Sequence, residues 1–362
     1  MSKDTFNEAN YEQAIIELFT QQLGYEYIYG PDIVRDYTEP LFLDRLQQSL
    51  LAINPALPAV AIQEAIDKIR QIDTGSLVQR NEVFTDYLQN GVDVSYFDGK
   101  EQHSACVRLI DYDHPLHNNF VVANQWSIEE HSVRRADIIV FINGLPLVVM
   151  ELKSPSRTET NVSEAYAQLR NYMQEIPSLF VYNAFCVMSD LVTSKAGTIT
   201  SGEDRFMEWK TVDGQTEDNH FANFHVLFCG MFEQERLIEI LRDFICFSKE
   251  EKQSAKILAG YHQFYAVRKA IASVKEATTT NGKGGVFWHT QGSGKSLSMV
   301  FFAKCLQRAL SSPTIVVITD RTDLDNQLFG QFSKCADFLR QVPVQAKSRK
   351  HLSELLDGIE AN

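Results

Sequence analysis

The chain has 362 residues, 44% of them hydrophobic and 22% charged, with a formal net charge of −13. The length suits two globular domains of roughly 100 to 200 residues each, and the acidic balance argues against a generic polyanion binder, whose affinity comes from clustered Lys and Arg. No run approaches the roughly 18 apolar residues of a membrane span, and Lys3, Asp4, Glu8 and Glu12 stand where a signal peptide has its apolar core, so a cytoplasmic location without membrane contact is expected.

In chain order, residues 11–23 place Ile15, Leu18 and Phe19 on one helical stripe ended by Gly24. Helical spacing returns through 41–72, broken near Asn54-Pro55 and Pro58, and over 77–89 as far as Asn90-Gly91. Strand-like runs follow at 105–112, 119–125, 136–142 and 147–152, then a helix at 162–174, a buried strand at 179–188 and an apolar strand at 223–229. Residues 233–247 have helical spacing, and the charged stretch 248–254 reads as a connector. Beyond it come a helix (261–276), a Thr/Gly-rich loop (278–285), a strand (286–289), a glycine-rich loop, a helix (295–310), a strand (314–319) and a helix (323–333). Alternation of strand and helix indicates a parallel sheet. The expected fold class is therefore α/β, with domains over 1–250 and 251–362. The six cysteines lie far apart without CxxC spacing and are expected to be reduced core residues.

The first domain carries a candidate nuclease centre. Phosphodiester hydrolysis needs a hard cation held by oxygens, a water activated beside it and stabilisation of charge on the phosphate. Two carboxylates and a lysine supply the ligands and the charge. The triplet Glu151-Leu-Lys153 alone is weak, because Glu208-Trp-Lys210 and Glu250-Glu-Lys252 also match it, as does the relaxed form Asp98-Gly-Lys100. Its context is distinctive: Glu151 and Lys153 end one apolar strand, Asp137 opens the preceding one, and Asn143-Gly144 lies between them. A three-residue connection over 143–145 sets Asp137 directly opposite Glu151, whereas a two-residue turn shifts the register and turns Asp137 to the other face. Glu151 and Lys153 share a face by the period of two. On the following helix Gln168 and Tyr172 are four apart and face the same way. Arg108, Arg134, Arg135, Arg157 and Arg170 surround the motif, and charge alone favours a solvated surface over a DNA-binding cleft. The competing structural reading is a pair of ordinary strand-end charges bridged by Lys153.

The stretch Arg135-Ala-Asp-Ile-Ile-Val-Phe-Ile-Asn-Gly-Leu-Pro-Leu-Val-Val-Met-Glu-Leu-Lys-Ser154 closely resembles the nuclease core of the restriction (motor) subunit of type I restriction-modification enzymes, within the PD-(D/E)XK superfamily. The resemblance implies a mixed sheet flanked by helices, Mg2+ held by Asp137 and Glu151, and Lys153 orienting the water or the scissile phosphate. It also implies that Gln168 and Tyr172 form the additional helix motif of nucleases fused to helicases, and that Glu12 is an acidic residue near the metal. Ala136 stands where the superfamily usually has proline.

The second domain carries a phosphate loop, Gln291-Gly-Ser-Gly-Lys-Ser296, between a strand and a helix. In that context backbone amides and the helix N-terminus face phosphates, Lys295 reaches the β and γ groups, and Ser296 holds Mg2+. Gly292, Ser293 and Gly294 complete the ATP site, and His289 replaces the first glycine of the usual pattern. His289-Thr-Gln-Gly-Ser-Gly-Lys-Ser296 resembles the type I restriction motor version. Tyr261-His-Gln263 resembles the motif in which a glutamine, here Gln263, reads adenine; its other reading is a polar helix start. Residues 315–327 resemble helicase motif Ia, which implies DNA contacts from Arg321 and Asp323; a generic phosphate-loop reading makes Asp320 the Walker B carboxylate instead. No apolar strand ending in Asp-Glu follows residue 327, so the parallel, RecA-like domain is expected to be incomplete. Weak nucleotide binding without hydrolysis or translocation is then expected.

The sequence reading is thus the N-terminal portion of a type I restriction subunit, a Mg2+-dependent endonuclease (type I site-specific deoxyribonuclease) acting on double-stranded DNA with modification (methyltransferase) and specificity subunits. The competing readings are a noncatalytic remnant that cuts only when assembled, and a RecB-like repair nuclease.

Overall fold

A computed structural model describes residues 8–153, 162–218 and 224–357. The chain divides into two compact units: residues 1–245 with 256–258, and residues 246–255 with 259–362.

The first unit opens with helix α1 (Glu8–Gln21), which buries Tyr11, Ile15, Leu18 and Phe19, and ends in a left-handed glycine, Gly24. Strand β1 (Glu26–Tyr29) follows. Three helices come next: α2 (Leu43–Ile53), α3 (Ala59–Arg70) and α4 (Leu77–Asn90). A capping box starts α4, where Ser76 and Gln79 exchange side-chain and backbone hydrogen bonds. Strands β2 (Val92–Phe97) and β3 (Gln102–Val107) form a separate antiparallel ribbon. The main strands are β4 (Phe120–Glu129), β5 (Val133–Ile142) and β6 (Leu145–Leu152). Helices α5 (Val162–Glu175) and α6 (Pro177–Val181), strands β7 (Phe185–Ser189), β8 (Ser194–Gly197) and β9 (Met207–Glu208), then helices α7 (Phe224–Phe232) and α8 (Gln234–Asp243) complete the order.

Seven of these strands make one mixed sheet in the order β1-β4-β5-β6-β7-β8-β9. The β1/β4 and β6/β7 pairs are parallel and the others antiparallel. On one face Trp126, Ile139, Phe141 and Val149 pack against Leu169, Tyr172, Leu179 and Phe180 of α5 and α6. On the other, Phe19 of α1 meets Phe232 of α7 at 5.1 Å between ring centroids, and Phe185 of β7 meets Phe232 at 5.8 Å. Aromatic packing of this kind closes the second layer. The expected α/β fold with helices flanking a mixed sheet is what the structure has.

Two local expectations are corrected. Residues 223–229, read as a strand, belong to α7, because a short continuous apolar run carries no periodicity that separates a strand from a buried helix. The apolar stretch 179–188 divides into the end of α6 and the start of β7, with Asn183 buried between them and bonded to Leu147 O and Phe185 O. Cys186, Cys246, Cys305 and Cys335 are buried and unbridged as expected, but Cys106 is exposed and Cys229 half-buried.

The chain continues through strands β10 (Ile245–Ser248) and β11 (Ala255–Leu258). The second unit is then helical: α9 (Tyr261–Ala277), α10 (Lys295–Ala309), α11 (Thr322–Lys334), α12 (Ala336–Leu339) and α13 (Arg349–Asp357). Phe301 of α10 packs edge-on to Phe338 of α12 at 6.0 Å. Residues 286–289 and 314–319, read as strands of a parallel sheet, are not hydrogen-bonded into any sheet among the described residues. Val286 is 97% exposed and Ile318 85%. An extended segment becomes a strand only when neighbours take up its amides and carbonyls, and the described residues supply none.

Candidate active site in the first unit

Strand β6 is central in the sheet, and all eight of its residues are buried. It reaches β5 through Asn143 (φ 53°) and Gly144 (φ 81°), the left-handed pair of a two-residue hairpin turn. Gly144 is needed twice over: a Cβ there would meet the Leu46 amide nitrogen at 2.5 Å and Phe42 O at 2.6 Å. The turn is therefore shorter than the three residues expected. Near it Ile142 pairs with Leu145 and Phe141 with Pro146, a register that would turn Asp137 to the wrong face. A β-bulge between Val140 and Phe141 resets the ladder, so Val140 pairs with Val148 and Ile138 with Met150. One further step places Asp137 across from Glu151. The expected juxtaposition is present, but a bulge produces it rather than the turn.

Asp137 and Glu151 thus share the face of Ile139 and Val149, under α5. The Leu152 amide donates to Asp137 Oδ2 at 2.8 Å. Glu151 is 3% exposed; its Oε1 accepts a 2.6 Å bond from Lys153 Nζ. Its Oε2 is buried with no hydrogen-bond partner among the described residues. Burial pushes the Asp137 carboxyl well above the usual carboxylate range, the neighbouring Glu151 charge pushes the same way, and the Leu152 amide and Lys153 only partly oppose them. Burial also raises Glu151, against Lys153 and the Tyr172 hydroxyl. For Lys153, burial lowers the pKa, but the Glu151 carboxylate outweighs it and holds the ammonium charged. Burial and the nearness of the two carboxyls thus make it costly for both to be ionised beside the one ammonium.

Helix α5 brings Gln168 and Tyr172 to this face. Tyr172 is 4% exposed and donates to Arg135 O at 3.1 Å. Burial raises the Tyr172 hydroxyl, as does the charge of Glu151, while a hydrogen bond with Gln168 opposes them. Glu12, in contrast, has both oxygens occupied: Asn124 Nδ2 donates to one at 2.6 Å and Gln125 Nε2 to the other at 2.7 Å. The α1 carboxylate whose charge acts on both Asp137 and Glu151 is Glu8, one turn earlier and absent from the sequence reading. Gln125 occupies the β4 position facing Asp137 between the pairs Asn124/Ile138 and Trp126/Ala136, and has φ 54°. A left-handed residue in mid-strand costs energy and is tolerated where the surroundings fix it, here through its bond to Glu12.

Three of the surrounding cations are engaged by other groups, while Arg135 is exposed. Arg134 pairs with Glu175, Arg108 with Asp113 at 3.0 Å, and Arg170 donates to Ile199 O at 2.7 Å. Arg157 lies outside the described residues. The triplet at Glu208 and Lys210 sits on the edge of the sheet, about half-exposed, its charges 3.9 Å apart.

In the second unit Gly292 (φ 81°) and Gly294 (φ 78°) shape the phosphate loop, and α10 begins at Lys295. Lys295 Nζ donates to His289 O at 2.8 Å and Thr290 O at 3.0 Å, curling the loop around the ammonium. Ser293 Oγ donates to Thr290 O at 2.8 Å; Ser296 lies in the first turn of α10. Gln263 is buried against this loop: its Nε2 donates to Gly294 O at 3.1 Å and its Oε1 accepts from the Gly260 amide at 3.0 Å. Arg321 and Asp323, at the start of α11, are exposed and 4.0 Å apart.

The family model described as the N terminus of type I restriction enzyme R proteins matches residues 5–205. The chain belongs to this family. Within the remainder, a SWI2/SNF2 ATPase model matches residues 262–362. The chain is 39% identical over 371 residues to the HindI type I restriction enzyme endonuclease subunit of Haemophilus influenzae, covering 97% of this chain and 35% of that protein. It is 33% identical to the putative MjaIXP type I restriction enzyme endonuclease subunit of Methanocaldococcus jannaschii, covering 86% of this chain and 33% of that one. A Staphylococcus aureus type I restriction enzyme endonuclease subunit is 30% identical over 60% of the chain. This member of the R-protein family spans about a third of the length of its first two relatives. Among the described residues no helix is long and apolar enough to cross a membrane.

Proposed function

We propose that the first unit is a Mg2+-dependent endonuclease centre for double-stranded DNA, with Asp137 and Glu151 as metal ligands and Lys153, Gln168 and Tyr172 around the reacting phosphate. The single observation that carries this reading is the pair Glu151 and Asp137, one carboxylate buried and the other half-buried, each pushed up in pKa, with Glu151 Oε2 making no full hydrogen bond among the described residues. A buried polar group without a partner costs about 1–3 kcal/mol, more when charged, and calls for an explanation. A hard, oxygen-seeking cation supplies the missing partner and the missing charge together. Bound there, Mg2+ would furnish the positive charge that acidifies a water and neutralises the phosphate.

The chain's own residues do the rest. Lys153, held charged by Glu151, presents donors beside the carboxylates, where it orients the attacking water or a phosphate oxygen. Tyr172, anchored to Arg135 O, braces α5 against β5 and keeps Gln168 on the same face. Gly292, Ser293, Gly294, Lys295 and Ser296 bind the phosphates of ATP, with Gln263 fixing the loop and reaching the adenine edge. Arg321 and Asp323 touch the DNA backbone. Modification and specificity subunits deliver the DNA; the names of the relatives, endonuclease subunits of type I restriction enzymes, support only that such a chain is one subunit of a larger enzyme.

The test is nicking of supercoiled plasmid in Mg2+ or Mn2+ by the purified chain and by Asp137→Ala, alone and then with modification and specificity subunits. Nicking that requires Asp137 is expected. No nicking in any arm, or nicking that survives Asp137→Ala, removes the reading.

A further inference from the structure

A second cluster of metal-ligating side chains lies in the loop between β3 and β4. Asp111 is 7% exposed, whereas the His114 and His117 side chains are 67% and 65% exposed. Ligand atoms of all three lie within 4.8 Å of one another. Asp111 Oδ1 accepts the backbone amides of Asp113 at 3.1 Å and His114 at 3.0 Å. Its Oδ2 turns to the two imidazoles, 3.6 Å from His114 Nδ1 and 3.3 Å from His117 Nδ1. The rings stack with centroids 4.9 Å apart and planes 18° apart, which brings both Nδ1 atoms to the same carboxylate oxygen.

The spacing has a chemical meaning. Zinc binds imidazole nitrogen and carboxylate oxygen at about 2.0–2.2 Å in tetrahedral geometry, so adjacent ligand atoms stand roughly 3.3–3.5 Å apart. Both Asp–His separations lie at or close to that edge length. The two histidines are reached from solvent, which leaves a fourth position open to water or to a ligand from a partner.

The loop holding these groups is braced by side-chain hydrogen bonds. The Asp111 amide donates to Asn118 Oδ1 at 2.8 Å, and Asn118 Nδ2 donates to Asp111 O and Pro115 O, both at 2.8 Å. Asn143, in the turn between β5 and β6, donates to Asn118 Oδ1 at 2.7 Å and to Leu109 O at 2.9 Å. The carboxylate is thus oriented by backbone amides and its loop is tied to the central hairpin. Hydrogen-bonded support of a ligating group is the usual companion of a metal site. Asn143 is at the turn end of that hairpin and Asp137 at the other, roughly 20 Å apart at the rise of a strand.

We propose that Asp111, His114 and His117 form a second metal site, selective for a divalent transition metal of the zinc class, with three protein ligands and one open position. It does not depend on the nuclease reading. The softer nitrogen ligands set it apart from the all-oxygen pair at Asp137 and Glu151, which suits Mg2+.

The experiment is titration of Co2+, then Zn2+, into the full 362-residue chain, free of any histidine tag and carrying Asp137→Ala and Glu151→Ala so that the first centre contributes nothing. The expected result is one Co2+ per chain with visible d–d absorption of a four- or five-coordinate ion, bleached by Zn2+. In that background His114→Ala and His117→Ala each weaken binding at least about tenfold and together abolish it. Both side chains are largely exposed, so metal-free thermal unfolding stays unchanged and loss of binding is not loss of fold. Asp111→Asn, which retains an acceptor for the loop amides, removes the anionic ligand and weakens binding likewise. Absence of the absorption band, or binding indifferent to the histidine pair, overturns the proposal.

Discussion

Leu147-Val-Val-Met150 and Ile315-Val-Val-Ile318 are nearly the same kind of sequence with opposite fates. The first is the middle of β6, where all four residues are 0% exposed; the second is extended without a strand partner among the described residues, and Ile318 is 85% exposed. Local preference is therefore not what makes the strand. The first run has β5 on one side, β7 on the other and helices over both faces, whereas the second lacks paired neighbours. Strand propensity is a statement about fitting a half-built surface, and the surface has to be there. The same contrast governs the two candidate sites: the carboxylates of the first unit sit on hydrogen-bonded strands, and the phosphate loop of the second follows a segment with no strand partner among the described residues.

Hydrogen exchange sharpens that contrast most. Amides of Ile138–Ile142 in β5 and of β6 should exchange at least about ten-thousandfold more slowly than those of 286–289 and 314–319, because sheet amides open only with large-scale unfolding. Similar rates in the two sets would mean that the second unit pairs these segments in solution. The same substitution in both runs gives the next largest effect. Val149→Asp buries a charge in the core and should destabilise the first unit by more than about 4 kcal/mol, whereas Val317→Asp, already 39% exposed, should change stability by less than about 1 kcal/mol. Urea denaturation of the two variants reads the difference directly.

How far sequence could reach follows from the same physics. Parity along β5 and β6 brought Asp137, Glu151 and Lys153 to one face, and the helical spacing of Gln168 and Tyr172 brought them to the helix side. The pairing of Asp137 with Glu151 was legible only by an error that the protein corrects: the turn has two residues, and the Val140/Phe141 bulge restores the register. No local signal announces that bulge. Which α1 carboxylate acts on the pair was not legible: Glu12 is bonded by Asn124 and Gln125, more than a hundred residues away in the chain, while the charge of Glu8 acts on both Asp137 and Glu151. The apolar run at 224–232 had no period to reveal a helix buried all round. Asp111, His114 and His117 carry no cysteine and no zinc-finger spacing, and their convergence comes from the Asn118 and Asn143 bonds that fold the loop.

The sealed interior of the first unit holds one more charge that tests its dryness. Lys256 is 3% exposed and donates to Asn81 Oδ1 at 2.8 Å and Asn183 O at 2.7 Å, both neutral. Burial pulls its pKa down to about 7, the opposite direction to Lys153, which has Glu151 as a counterion. Between about pH 7 and the ordinary lysine value near 10.4 the unfolded chain binds more protons than the folded one, so stability rises with pH across that window. The slope from this residue is at most about 1.4 kcal/mol per pH unit. Lys256→Met should remove it, seen as urea midpoints that change less between pH 7 and 9.5 than in the wild type. Identical pH dependence in the two proteins would place the lysine in a wet environment.

Glu151→Gln comes next. It removes a buried charge that Lys153 only partly compensates, so metal-free stability should rise by about 1 kcal/mol, or some 2–4 °C in melting temperature, while nicking is lost. A site that is stabilised by losing its function is one whose fold tolerates strain for the sake of a cation. Lower stability with Gln would instead mark Glu151 as a structural partner of Lys153.

The smallest effect belongs to Lys295→Ala. In the second unit this ammonium is exposed and bonded to the loop carbonyls His289 O and Thr290 O, so its removal should change stability by less than about 0.5 kcal/mol. A ligand that binds the folded state alone stabilises it by RT ln(1 + [L]/Kd), about 2.7 kcal/mol at a hundredfold excess over Kd. Millimolar Mg-ATP should therefore raise the melting temperature of the wild-type second unit and leave Lys295→Ala unmoved, two curves that coincide without nucleotide and separate with it. If nucleotide shifts neither protein, an exposed loop after an unpaired segment does not hold phosphate, and the contrast between the two units extends from their strands to their chemistry.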